Sequence, residues 1–377
     1  MKILFLNYEF PPLGGGAGNA TSYLLREFSK IPGLEIDLVT SSTGSFRIEK
    51  KYPNVTIHYL DIGKKGNLHY QSMKDLLVYS KKALSYSKGL IEKNRYDLCH
   101  AFFGIPCGFI AMRLGIPYIV SLRGSDVPFY NNRFFLLDKL LFQRISRKVW
   151  KNSRRVVALS HDLKNLAMKT ASDQDISIIY NGIDTDEFSL GTDVRQNEKH
   201  TNILFVGRLI ERKGLGYLLE AFRNISKGYP DSRLIVTGDG PLRETYQKYL
   251  EDNRLEDKVE MLGIVSHDKI KEIYQKSHIF VLPSLNEALG NVTQEALATG
   301  LAIITTDTGA AEIIQGNGLI IEKKSSASIE EALKKLLDDK TMIDEMSKKS
   351  RQLAEKMDWK AIAEKYLEIY KEASSEK

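Results

Sequence analysis

Short β-rich runs alternate with helical patterns along the whole chain, and this alternation constrains the fold more than any other feature. In residues 1–180 the runs are "KILFLN", "EIDLVT", "VTIHYL", "DLCHAFF", "PYIVSL", "RVVALS" and "ISIIY"; beyond residue 200 they are "NILFVG", "RLIVTG", "VEMLG", "HIFVLP", "LAIITT" and "GLIIE". Apolar strands separated by helices are the signature of parallel sheets covered on two faces. Between the two sets stands "NGIDTDEFSLGTDVRQNEKH", polar and rich in turn residues, which reads as a link between domains. At 377 residues the chain is long enough for two full cores. The expected fold class is α/β, with two doubly wound Rossmann-like domains, residues 1–190 and 191–357, facing across a cleft. Ligand loops of such domains sit at the carboxyl ends of the strands, which makes the shared cleft the expected active site.

A hydrophobic content of 42% beside 27% charged residues places the chain among soluble globular proteins. "MKILFLNYEF" has only a short apolar run and no small-residue cleavage site, and no run reaches the length of a membrane span, so a cytoplasmic protein is expected. Cys99 and Cys107 are the only cysteines and form no C-x-x-C set, which points to a reduced compartment and no structural zinc. The net charge of +6 is uneven: residues 1–180 carry 26 Lys and Arg against 14 Asp and Glu, residues 181–377 carry 28 against 34. The amino-terminal half is the one expected to meet an acidic surface.

In "NEALGNVTQEALATG" two glutamates, Glu287 and Glu295, stand either side of Gly290 and Asn291. Glycine disfavours a helix interior and Asn is a preferred N-cap, so Glu287 falls in a loop and Glu295 near a helix start. Such a start offers free N–H groups to a phosphate, with the Glu295 carboxylate beside it and suited to the vicinal hydroxyls of a ribose. The plain alternative is a glutamate favouring the helix dipole and a solvated loop acid. "NILFVGRLIERKGLGYLLEAF" places Arg208 just past a strand and Lys213 at the following helix, two cations able to clamp a diphosphate and stabilise a departing leaving group. After the first strand, "YEFPPLGGGAGNATSYLL" is a glycine loop opening a helix. Nicotinamide binding fits it poorly, since Thr21 stands where the third glycine belongs and "DLVTSS" ends without an acid.

The ordered series "NGIDTDEF", "VGRLIERKG", "GDGP" and "PSLNEALGNVTQEALATG" resembles the retaining glycosyltransferases of family 4, which have the GT-B fold; the likeness runs from "PPLGGGAG" to the last helix. The resemblance implies a sugar transferred from a nucleotide diphosphate donor, UDP- or GDP-linked, to a glycan or lipid-linked acceptor, as in cell-surface polysaccharide or glycolipid synthesis. It implies that Arg208 and Lys213 hold the diphosphate, that Glu287 faces the donor sugar and that Glu295 holds the ribose. Backbone of Gly207, Gly290, Asn291 and Val292 would line the donor, with Gly15 and Gly16 closing against the reacting centre. No metal and no other cofactor is implied, and no nucleic acid. The final helix, 358–377, would return to the amino-terminal domain. One departure stands out: where many relatives carry a histidine in an "HG-D" stretch, this chain reads "SLRGSDVP", with Arg123 there and Asp126 after it. Arginine stays protonated and cannot act as a base. His100, at a strand end, is either an acceptor-side residue with Arg123 and Asp126 or a structural histidine. The rival functions are a glycoside hydrolase using Glu287 and Glu295, and a non-catalytic sugar-binding protein.

Residues 129–155, "FYNNRFFLLDKLLFQRISRKVWKNSRR", carry eight basic residues against Asp138. Phe134, Leu137, Leu141, Ile145 and Val149 recur at helical spacing. This predicts either an amphipathic helix on an anionic membrane, making the protein peripheral on the cytoplasmic face, or an ordinary packing helix.

Overall fold

The computed structural model describes residues 1–65, 68, 71–130, 138–287 and 289–375. It divides into two compact units, Met1–Asn181 with Trp359–Lys377, and Gly182–Asp358.

The amino-terminal unit holds an eight-stranded sheet in the order β3-β4-β2-β1-β5-β6-β7-β8. Its strands are β1 (Lys2–Leu6), β2 (Glu35–Ser42), β3 (Arg47–Tyr52), β4 (Val55–Asp61), β5 (Leu98–Phe102), β6 (Tyr118–Ser121), β7 (Arg155–Ala158) and β8 (Ile176–Ile178). All neighbours are parallel except β3, which runs antiparallel to β4 with Arg47 opposite Tyr59. Sequence patterning does not reveal β3: "RIEKKY" is mostly exposed and charged, which suits a sheet edge but leaves no apolar run to find. Phe5 stacks on Phe102 with centroids 5.7 Å apart, in a core that also takes in the helix Trp359–Ser375. Trp359 stacks on Tyr23 at 5.4 Å, and Tyr370 packs on Phe28. The returning helix therefore belongs to this unit's interior.

The carboxyl-terminal unit has six parallel strands: β9 (Thr201–Val206), β10 (Ser232–Thr237), β11 (Val259–Gly263), β12 (Ile279–Leu282), β13 (Ala302–Thr306) and β14 (Gly318–Ile321). Their order, β11-β10-β9-β12-β13-β14, reverses between β9 and β12. Helices after strands on opposite sides of such a reversal cover opposite faces of the sheet, leaving a crevice at the carboxyl ends of these two strands.

Residues 182–200 are not the free link their composition suggests. The boundary falls at Asn181/Gly182 instead of residue 190, because the segment packs on the second unit. Ile183 bridges to Asp358, Phe188 is buried against Tyr274, and Arg195 reaches the carbonyls of Thr299 and Gly300.

Of the basic stretch 129–155, Arg133, Phe134 and Leu137 lie outside the described residues. In the helix Gln143–Lys151, Val149 is buried and Ile145 packs on the core, so this part of the apolar stripe turns inward. Arg144, Arg147, Lys148 and Lys151 are exposed, and so are Leu140 (68%) and Leu141 (48%) just before the helix.

A buried polar network crosses the sheet of the first unit. Asp37 accepts from Tyr96 Oη at 2.6 Å and lies 3.1 Å from His58 Nε2, with Lys2 Nζ at 3.4 Å. Burial by itself would raise the Asp37 carboxyl, but the hydrogen bonds from His58 and Tyr96 and the nearby Lys2 hold it below its ordinary value of 3.8. A carboxyl lowered on folding adds stability above its unfolded pKa, and that stability is lost as pH falls through the folded value. Asp37→Asn is therefore expected to cost about 1–3 kcal/mol at neutral pH in denaturant titrations. Its deficit against the wild type should shrink as the pH drops below about 4; a deficit independent of pH would show that charge plays no part. Gly238 supplies a second test. Its φ is +129°, and a Cβ there would lie 1.9 Å from the Gly207 carbonyl oxygen. Gly238→Ala is expected to cost about 4 kcal/mol or more, or to prevent folding, and a variant melting within a degree or two of the wild type would refute the close approach.

Candidate active site

At the end of β9, Gly207 leads into Arg208, a tight turn Glu211–Lys213, and the helix Leu215–Ile225. At the end of β12, the chain passes through Pro283 to a loop that carries Glu287 and then enters the helix Asn291–Ala298. The two loops are tied together through backbone. Leu285 N–H donates to Arg212 O at 2.8 Å, and Arg212 Nη1 donates to Asn286 O at 2.9 Å. Gly309 N–H, from the loop after β13, holds Glu287 O at 3.0 Å. The loop after β10, with "GDGP", seats against the first one: Leu209 N–H donates to Asp239 O and Leu242 N–H to Leu209 O. These contacts place the Lys213 ammonium in an ion pair with Glu287 Oε2, both side chains largely buried. Arg208 is exposed and makes no ion pair among the described residues.

Gly290 has a φ of +76° and stands at the N-cap, and Thr293 N–H donates to its carbonyl at 2.9 Å. The sequence favours Asn291 as the cap; in the structure Asn291 is already the first helical residue and no side chain caps the helix. The left-handed backbone at residue 290 is what moves the start, because only glycine takes it without strain. Glu295 lies one turn in. Its Oε2 accepts from the Tyr274 hydroxyl at 2.7 Å, and that hydroxyl also lies 3.2 Å from Val292 O. Burial first, and the Glu295 carboxylate second, hold the Tyr274 pKa well above its ordinary value, so it remains a donor. The two glutamates thus stand in different settings: Glu287 beside a cation, Glu295 oriented by a phenol. Tyr274 lies outside the quoted motifs, and Arg212, though inside one, and Gly309 act through backbone contacts that only the three-dimensional arrangement reveals.

The remaining candidates belong to the first unit. Gly15 and Gly16 are exposed at the start of the helix Gly16–Phe28, with Gly15 N–H donating to Glu9 Oε2 at 3.3 Å. Asp126 is buried and accepts from Gly104 N–H at 2.6 Å and Arg123 N–H at 2.8 Å; burial raises its pKa despite those bonds. His100 does not line a surface. It is fully buried, with Nδ1 2.7 Å from Tyr370 Oη and Nε2 2.7 Å from Ser121 Oγ. Burial, with Arg123 nearby, holds its pKa well below the ordinary value, so it is the structural histidine of the two readings. Arg123 is tied to the same network: Nη1 donates to Asn181 Oδ1 at 2.8 Å, Nη2 lies 3.5 Å from Tyr366 Oη, and its guanidinium sits 4.4 Å over the Phe102 ring. At the position where the resemblance implies an imidazole, Arg123 is an interior tie to the returning helix.

Among the described residues no group of three or more His, Cys, Asp or Glu is placed to hold a metal ion, and no helix is long and apolar enough to cross a membrane.

Comparison with known proteins bears on both units of the chain. Residues 14–187 match the family described as Glycosyltransferase Family 4, and residues 192–371 match Glycosyl transferases group 1. An uncharacterized glycosyltransferase of Methanocaldococcus jannaschii is 25% identical over 99% of each chain. The N-acetyl-alpha-D-glucosaminyl L-malate synthase of Bacillus anthracis is 26% identical over 95% of this chain and 94% of that one. Among solved structures, sucrose-phosphate synthase from Thermosynechococcus elongatus superposes with a TM-score of 0.83 at 20% identity, over 99% of this chain and 98% of the other. HepE of Anabaena, in complex with UDP, superposes with a TM-score of 0.74 at 17% identity, over 99% and 100%. With both units matched and the fold shared, the chain belongs to the family 4 glycosyltransferases, enzymes of the GT-B fold.

Proposed function

We propose that this glycosyltransferase moves a hexose-type sugar from a UDP- or GDP-linked donor to a glycan or lipid-linked acceptor with retention of anomeric configuration, in the synthesis of a surface polysaccharide or glycolipid. The carrying observation is that Lys213 and Glu287 are paired beside the uncapped start of the helix Asn291–Ala298, with Glu295 held one turn further on by Tyr274. Lys213 and Arg208, with the helix N–H groups, meet the diphosphate and stabilise the charge that grows on it as the glycosidic bond breaks. Glu287, next to Lys213, addresses the sugar. Glu295 accepts hydrogen bonds from the ribose hydroxyls while Tyr274 fixes its rotamer. The donor class is further supported by HepE, a protein of this fold whose solved complexes include UDP and UDP-glucose. A panel of nucleotide sugars, read by release of UDP or GDP, identifies the donor; no release from any of them, with hydrolysis of a glycoside instead, would favour a hydrolase.

With the donor in hand, Glu287→Ala and Lys213→Ala are each expected to lose about 2.7–4 kcal/mol of transition-state stabilisation, a drop of about 10²–10³ in kcat measured well below the melting temperature, which itself falls because each change leaves the other largely buried charge unpaired. Near-normal kcat/KM in either would show that the ion pair is structural. Because Lys213 and Arg208 supply the positive charge a divalent ion would otherwise bring, turnover is expected to persist in excess EDTA. Activity that EDTA abolishes and Mg²⁺ or Mn²⁺ restores would overturn this. A lipid-linked acceptor fits a protein that reaches an anionic membrane through the outward cations Arg144, Arg147, Lys148 and Lys151 with exposed Leu140 and Leu141. Vesicle co-sedimentation should show binding to anionic lipid at low salt, weakened when the four cations are changed to glutamine; equal binding by that variant would exclude this surface.

A further inference from the structure

The helix Asn291–Ala298 ends on the carbonyls of Ala298, Thr299 and Gly300, and two guanidinium groups take them. Arg351 Nη1 donates to Ala298 O at 3.0 Å, while Arg195 donates through Nη1 to Gly300 O and through Nη2 to Thr299 O. Cations are favourable at a helix carboxyl end. Arg195, however, is only 9% exposed, no carboxylate among the described residues lies within ion-pair distance, and its Nε has no hydrogen-bond partner there. Burial brings its pKa down to about 10, which leaves it charged at neutral pH, with Asp344 attracting it from beyond pairing distance. A buried charge without a counter-ion is costly and rare.

Beside it opens a cavity of about 310 Å³, lined by Arg195, His200, His278, Lys340 and Ser347. Its place is the amino end of the sheet, where Thr201 begins β9 and His278 directly precedes β12. Glu287 and Lys213 are at the other end of the same strands. The lining also carries Lys199 and the acids Glu198, Asp231 and Asp344. Lys199, Lys340, Asp231 and Asp344 are exposed, so their charges are screened and offset one another. Glu198 accepts from Asn202 Nδ2 at 3.3 Å. His278 accepts from Asn202 N–H at 3.1 Å, and burial, with Arg195 nearby, holds its pKa at about 4, so it is neutral. The buried nitrogen His200 Nδ1 has no partner among the described residues. Arg195 is the one buried, unscreened charge in the lining.

We propose that this cavity binds a small phosphate- or carboxylate-bearing molecule, with Arg195 as its counter-charge and Lys340 and His200 as further donors. An anion there competes with the carbonyls of residues 299 and 300 for the Arg195 guanidinium. It thereby acts on the helix whose other end carries Asn291 and Glu295, an effector role that rests on the donor reading above, whereas the binding itself does not. Titration calorimetry with inorganic phosphate on three proteins separates the sites. The wild type and Lys213→Ala are expected to bind phosphate saturably, and Arg195→Gln about tenfold more weakly or not at all. Phosphate binding lost in Lys213→Ala but kept in Arg195→Gln, or absent from all three, overturns the proposal. Should Arg195→Gln fail to fold, Lys340→Gln combined with His200→Gln takes its place; a several-fold loss is expected, and unchanged binding again overturns it. Comparing a hexose phosphate with malonate assigns the source of the anion by the tighter of the two. In the wild type the tighter anion is also expected to change the affinity for the bound nucleoside diphosphate by about fivefold or more, an effect absent from the Arg195 variant. No change in the wild type would overturn the effector role.

Discussion

The candidate active site depends on the reversal of strand order between β9 and β12. A parallel strand can be followed only by a crossover, and crossovers keep one hand, so the chain must place successive helices on opposite faces once it begins building in the other direction. No helix can then fill the space above the carboxyl ends of the two central strands. Loops fill it instead, and their backbone groups bind one another closely enough that Gly238 approaches the Gly207 carbonyl with no room for a side chain. The ion pair, the helix start and the two glutamates are all consequences of where this seam falls.

Within the seam, residues of one charge are given unlike surroundings. Glu287 sits on a loop fixed at its carbonyl by Gly309 and at its carboxylate by Lys213, so its charge is matched before any ligand arrives. Glu295 rides on a helix, and its carboxylate accepts from the neutral Tyr274 phenol, which directs it. On the function proposed above, the first carboxylate addresses the sugar and the second the ribose hydroxyls. Fold alone does not produce this division. Tyr274 produces it, from a neighbouring helix.

Much of this was legible in the chain itself. Every apolar run proposed as a strand is one; the inner strands are buried on both faces, and the edge strands β11 and β14 keep enough apolar residues to be found although they are partly exposed. The edge strand β3 carried no such run and was missed. Residues 182–200 looked like a link because their packing rests on a few contacts, such as Phe188 and Arg195, scattered among polar residues. The helix start is legible only to within one position: Asn291 is the first helical residue and not the cap, since cap preference says nothing of the left-handed turn at Gly290. His100 and Arg123 were the least readable: their partners, Tyr370 and Tyr366, lie some 250 positions away in the sequence, and no local pattern encodes a hydrogen bond of that range.

That range bears on how the polypeptide is born. The carboxyl-terminal unit is one uninterrupted segment, Gly182–Asp358, whereas the interior of the other is completed by the helix Trp359–Ser375. A ribosome delivering the chain in order finishes every residue of the later unit before the earlier one receives Tyr366 and Tyr370. Until then His100, Ser121 and Arg123 lack their tyrosine hydroxyls, and Phe5 and Phe28 lack an aromatic neighbour. The half of the molecule that is synthesised first is the half that matures last, and for that interval it exposes an unfinished apolar surface to whatever chaperones attend its release.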